Sequence, residues 1–159
     1  MGKETVASIV RETEMPVGTG SSMIVLSVVA PCFNEEEVLH ETTRRLLSVL
    51  DRLVDKGRIS DKSRIYYVDD GSRDATWSII EELGGKHAQV CGIKLALNQG
   101  HQNALLAGLY TAGGDAIVSV DADLQDDLNA IDEMVEAHLQ GAEVVYGVRD
   151  DRSSDSLFK

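Results

Sequence analysis

Short β-branched runs alternate with stretches whose apolar residues recur at helical spacing, and this alternation restricts the chain to a small set of folds. The apolar run at 24–33 reads as a first strand. Leu39, Leu46, Leu50, Leu53 and Val54 then predict a long helix through about Lys56, with Gly57 as its terminator and Asn34-Glu35-Glu36-Glu37 as its start signal. A second strand is expected over 64–69. The helix after it carries Trp77, Ile80 and Leu83 on one side and is expected to close at Gly84-Gly85. Strands at 90–97, 115–121 and 143–147 and helices at 100–112 and about 128–139 complete the pattern. Repeated βαβ units of this kind require a mainly parallel sheet with helices on its faces, an α/β fold.

Two of these strands run into acid. Val120 leads into Asp121-Ala122-Asp123-Leu124-Gln125, and Val68 into Asp69-Asp70-Gly71-Ser72. Alternation along a strand sends residues i and i+2 to one side, so Asp121 and Asp123 are expected to face a common point. Paired carboxylates there suit a divalent cation, Mg2+ or Mn2+, with the amide oxygen of Gln125 as a further ligand. An Asp-x-Asp triplet alone is a weak signal, because strand ends favour Asp as a turn or cap residue. Ligands of open parallel sheets bind beyond the carboxyl ends of the strands, and a second acidic end in that crevice strengthens the reading.

Composition excludes several alternatives. The 159 residues are 43% hydrophobic and 26% charged, enough for one core, and a net charge of -12 disfavours nucleic acid and anionic membranes as direct partners. No apolar run is long enough to span a bilayer and no signal peptide is evident, so a cytoplasmic chain is expected. Residues 1–22 read as a flexible leader before one domain at 23–159. Cys32 and Cys91 have no metal-ligand spacing and are expected to be reduced, buried thiols.

The first strand-to-helix turn, Pro31-Cys32-Phe33-Asn34-Glu35-Glu36, lacks both the Gly-x-Gly-x-x-Gly of dinucleotide binders and the P-loop pattern. Phosphates would then be held by a cation and by side chains such as Arg149, Arg152 and Lys159. His101 reads as a helix-start surface residue, with no carboxylate partner evident in the sequence. A receiver-like regulatory domain would also gather acid at strand ends, but after the first and third strands rather than the second and fourth.

Five segments, Val29-Ala30-Pro31-Cys32-Phe33-Asn34-Glu35, Val68-Asp69-Asp70-Gly71-Ser72-Arg73-Asp74, Asn98-Gln99-Gly100-His101-Gln102, Asp121-Ala122-Asp123-Leu124-Gln125-Asp126 and Tyr146-Gly147-Val148-Arg149, resemble family 2 glycosyltransferases in the same order. The polyprenyl-phosphate branch, with its bactoprenol glucosyltransferases and dolichyl-phosphate mannose synthases, is the most similar. The resemblance implies a GT-A fold and inverting transfer of a hexose from a nucleoside diphosphate sugar to a polyprenyl phosphate at the inner membrane face. UDP-glucose is the favoured donor and GDP-mannose the other. By position it implies Pro31, Glu35, Asp69 and Asp70 at the nucleotide, Asp121, Asp123 and Gln125 at the metal and diphosphate, and Arg149, Arg152 and Lys159 at phosphate. Asp123, Arg149 and Arg152 would carry the catalysis. Family members run about twice this length, so the chain is expected to be a shortened form, either active, dependent on a partner chain or homo-oligomer, or a noncatalytic nucleotide- or metal-binding domain. It also has Asp126-Asp127-Leu128 where the family has Asp-Pro-Pro.

Overall fold

The computed structural model describes residues 23–147. The leader at 1–22 and the basic positions Arg149, Arg152 and Lys159 lie outside the described residues. Eight elements follow in strict alternation: β1 (Leu26–Cys32), α1 (Leu39–Asp55), β2 (Arg64–Asp69), α2 (Thr76–Lys86), β3 (Val90–Lys94), α3 (His101–Thr111), β4 (Ala116–Ser119) and α4 (Ala130–Leu139). The strands form one parallel sheet in the order β3-β2-β1-β4. The chain therefore winds outward from β1 through β2 to β3, then returns to the other side of β1 to lay down β4. The strand order reverses between β1 and β4, and that switch point is where an open sheet leaves a crevice.

Period-two alternation divides the sheet into two apolar faces. Val29 and Val68 point toward Ala104 of α3, and all three are fully buried. On the opposite face Tyr67 meets α1, its hydroxyl 2.8 Å from Thr43 Oγ1. Burial pushes the Tyr67 phenol above its usual range, so it remains a neutral hydroxyl paired with Thr43. Gly92 of β3 sits beneath Ile80 and Trp77 of α2 on this same side. Helices thus cover both faces, as the apolar runs require.

α1 buries Leu39, Leu46, Val49, Leu50 and Leu53 on one stripe. It ends where Gly57 takes φ 65°, with Gly57 N–H donating to Val54 O and Arg58 N–H to Leu53 O. This is a Schellman closure, which the sequence signalled. α3 approaches the sheet closely because Gly108 lacks a side chain: a Cβ there would lie 2.4 Å from Val29 Cγ1 and 2.9 Å from Val68 Cγ2. Gly108→Ala should therefore lower stability by about 1–3 kcal/mol in chemical denaturation, even though alanine is the better helix former. An unchanged or raised midpoint would show that α3 docks more loosely than its contacts with Val29 and Val68 imply.

Several expected boundaries shift. α1 begins at Leu39, not at the Asn34 signal, because Asn34 takes a left-handed φ of 57° and its side chain accepts a hydrogen bond from Arg73 N–H instead of capping a helix. α2 continues through Gly84-Gly85 to Lys86, and a Cβ on Gly84 would only touch Val90 O at 3.4 Å. Residues 143–147, expected as a fifth strand, are irregular. They pair with no strand among the described residues, and Val144 and Tyr146 are more than half exposed, so neither a ladder nor a buried face holds them extended. Cys32 is buried as expected, whereas Cys91 is only partly so, and both thiols are free. The described residues fall into two compact units that meet in sequence at Leu128 and Asn129, with α4 in the second. No described helix is long and apolar enough to cross a membrane.

Candidate active site

The crevice at the switch point holds a cavity of about 320 Å3, with Pro31, Glu35, Asp70, Gly100, Asp121 and Asp123 in its wall. Each arrives for a local reason. Pro31 is carried by the end of β1, paired in register with Val68. Glu35 follows in the turn, fixed by its own N–H donating to Thr76 Oγ1 at 2.8 Å. Asp121 leaves β4 just beyond Val120, whose N–H donates to Val29 O and keeps the chain beside β1.

Asp123 reaches the same cavity by a different route from the one expected. β4 ends at Ser119, and residues 122–124 form a turn in which Leu124 takes φ 63° and Asp123 Oδ1 accepts the N–H of Gln125. A turn, and not strand alternation, brings the two carboxylates to one wall. The turn itself is anchored from α1, where Thr42 Oγ1 donates to Ala122 O at 2.8 Å. Gln125 lies off the cavity wall; its backbone serves Asp123.

The second acidic end divides its work. Asp70 is buried and accepts two backbone hydrogen bonds, from Gln99 at 2.7 Å and Gly100 at 2.9 Å, which clamp the loop entering α3. Those amides are therefore committed to Asp70 and are not a phosphate cradle, in keeping with the missing glycine signature in the first turn. Asp69 is fully buried at the end of β2, in register with Cys32. Its Oδ1 accepts Ser72 N–H, while its Oδ2 has no hydrogen-bond partner among the described residues. A buried acceptor without a donor is uncommon in a folded protein. Asp69 does not itself line the cavity.

Two further ties stitch the acidic loops together. Asn34 N–H donates to Ser72 Oγ, and Ala75 N–H donates to Glu36 Oε2 at 2.7 Å. These cross-loop bonds, like the Asp70 clamp and the cavity positions of Phe33, Asn98 and His101, were not deducible from pattern. Each depends on which distant loops the strand order makes neighbours.

The electrostatics are those of crowded negative charge. Burial, then the charges of Asp123, Asp74 and Asp121, hold the Glu35 carboxyl above its usual range. Burial, then Glu35 and Asp69, push the Cys32 thiol far up, so Cys32 stays protonated and inert. Such crowding is what a cation relieves. The donor set fits Mg2+ or Mn2+: two carboxylates on one wall, with room for water and phosphate oxygens. Among the described residues, no group of three or more His, Cys, Asp or Glu side chains forms a complete cage.

The repulsion at Glu35 has a measurable consequence. Below the ordinary glutamate pKa the group is protonated in both folded and unfolded chains and costs nothing. As pH rises through the raised folded value, the crowded charge destabilises the native state. Glu35→Gln should therefore raise the thermal midpoint at neutral pH by about 1–2 °C, and the gain should vanish near pH 4. A midpoint lowered at pH 7 would mean that the charge of Glu35 is balanced by partners.

The family profile described as Glycosyl transferase family 2 matches residues 27–159. The chain belongs to that family. It is 48% identical over 140 residues to an uncharacterized glycosyltransferase, YkoT, of Bacillus subtilis, covering 87% of this chain and 42% of that protein. A bactoprenol glucosyl transferase of Shigella phage SfV is 37% identical over 137 residues, with 84% and 42% covered. Among solved structures, a mannosyltransferase of Pyrobaculum calidifontis in complex with GDP-Man and Mn2+ superposes with a TM-score of 0.51 at 25% identity, covering 65% of this chain and 28% of that one. The fold is accordingly that of the GT-A glycosyltransferases. The chain spans about two fifths of the length of the curated relatives it matches.

Proposed function

We propose that this chain supplies the donor half of an inverting hexosyltransferase, which moves a sugar from a nucleoside diphosphate to a polyprenyl phosphate. The observation that carries the reading is the convergence of Asp121, Asp123 and Glu35 in one cavity at the switch point, in a family whose relatives include a bactoprenol glucosyl transferase. That name favours UDP-glucose as donor, and the mannosyltransferase complex supports GDP-mannose as the alternative.

Pro31 and Glu35 on the cavity wall, with Asp69 by its family position, would meet the nucleotide, and Asp121 and Asp123, with Gln125 as a further candidate, would hold the cation. When bound, Mg2+ or Mn2+ would supply positive charge to offset the negative charge developing on the departing diphosphate. In a single displacement the bond from sugar C1 to the diphosphate oxygen breaks, the diphosphate keeps the electron pair, and a phosphate oxygen of the acceptor bonds to C1 from the opposite face. An acceptor that is already an oxyanion has no proton to lose, so the task is alignment and not base catalysis. Arg149, Arg152 and Lys159 would offset repulsion between the two anionic substrates. With vesicles containing polyprenyl phosphate at a membrane face, labelled UDP-glucose and Mn2+ should give label in the lipid extract. Label entering lipid from neither UDP-glucose nor GDP-mannose would contradict this reading in favour of a nucleotide-binding domain.

Arg149→Ala should leave nucleotide affinity unchanged and slow transfer roughly a hundredfold, the scale of losing one charged stabiliser of the transition state. Unchanged turnover would make Arg149 an ordinary surface charge.

A further inference from the structure

We propose that His101 is a positioning residue for the cation site and orients the carboxylate of Asp121. The inference rests on the proposed role of Asp121 and Asp123 as cation ligands. His101 Nε2 lies 3.8 Å from Asp121 Oδ1, and His101 is the side-chain partner found for Asp121 among the described residues. The separation is an ion-pair distance, about 1 Å longer than a hydrogen bond. Both side chains are more than half exposed, at 58% and 55%.

What makes the pair more than a surface encounter is how firmly its two backbones are placed. His101 is the first residue of α3, preceded by Gly100, which Asp70 pins through its N–H. One turn on, Ala104 is fully buried against Val29 and Val68, and Gly108 packs onto the same two valines. Asp121 follows Val120, which is bonded to Val29 O on the other side of β1. The imidazole thus reaches from the helix start to the strand end over the mouth of the crevice, with both anchors set by the sheet.

Cavity geometry provides a second, independent observation. Beside the main cavity lies a smaller one of about 210 Å3, lined in part by Ser119, Leu105 and Asp126. Pro31, His101 and Asp121 belong to the walls of both. The His101–Asp121 pair therefore lies where the two cavities adjoin. An imidazole N–H directed at one oxygen leaves the other for a cation. Hydrogen-bonded partners of this kind commonly govern metal affinity while touching no substrate themselves.

The test uses the full chain, with UDP and GDP as probes, and compares affinity in Mn2+ with affinity in chelator. In His101→Ala the affinity gained from Mn2+ should fall about tenfold or more, while affinity in chelator and the thermal midpoint stay unchanged. His101→Gln, whose amide nitrogen reaches a similar place, should restore most of the gain. An undiminished Mn2+ gain in His101→Ala would overturn the inference, as would an equal loss with and without metal, since that would place His101 at the nucleotide or in the fold. A wild-type chain that binds UDP or GDP with no Mn2+ dependence would instead refute the cation site on which the inference rests.

Discussion

Asp123→Ala is expected to abolish metal-dependent nucleotide binding, with a loss of more than about 100-fold in the presence of Mn2+ and little change in chelator. Asp121 and Asp123 are the proposed cation ligands on the cavity wall, and a hard cation held by only one of them is left to water and phosphate. The fold should survive the change, because Asp123 lies in the turn after β4 and its one described structural bond is to Gln125 N–H. Removing a charge from a crowded acidic cavity should, if anything, raise the thermal midpoint while binding is lost. That divergence separates a functional carboxylate from a structural one: a structural Asp123 would lower both together. Retained affinity in Mn2+ would show that the cation is held elsewhere.

The largest stability effect should come from Gly71→Ala. Gly71 takes φ 70°, a left-handed conformation that costs a residue with a Cβ roughly 1–2 kcal/mol. Space is also lacking, since a Cβ there would lie 2.7 Å from Asn98 N and 3.0 Å from Leu97 C, both backbone atoms that cannot swing aside. Strain and clash together should cost about 2–4 kcal/mol, or roughly 10 °C in a chain of this size. The damage should also reach function. The loop displaced is the one that Asp70 clamps through Gln99 and Gly100, and it leads into His101. Nucleotide affinity should fall in Gly71→Ala even at temperatures where the variant is fully folded. A folded variant with normal affinity would mean that the loop from Leu97 to Gly100 does not shape the site.

Much of this architecture was legible because it is written in local periodicity. β2 occupies 64–69 as expected, and α1 ends at Gly57 as expected, since a run of β-branched and aromatic residues and a glycine stop depend on near neighbours alone. Errors arose where distant partners decide. β1 and β4 are shorter than their apolar runs because a strand extends only as far as its ladder. Asn34 has the composition of a cap yet fastens the loop after β2, and the 143–147 run has strand composition but no strand partner among the described residues.

The candidate site divides along the same line. Asp121 and Asp123 could be paired from their spacing, although a turn at Leu124 rather than strand alternation brings them together. The double hydrogen bond to Asp70 and the approach of His101 to Asp121 join residues 20 to 30 positions apart, and the Oδ2 of Asp69 is left without a partner among the described residues by burial at the end of β2. No periodicity encodes such relations; they follow from the strand order and the tight packing of α3.

The most direct measurement is calorimetric titration of UDP and of GDP into the protein, first with Mn2+ and then with chelator. Binding of one of the two nucleotides that collapses when the metal is removed is the expected result, and it would also identify the base. Binding unaffected by chelator, or no binding of either nucleotide, would contradict a donor site built on Asp121 and Asp123.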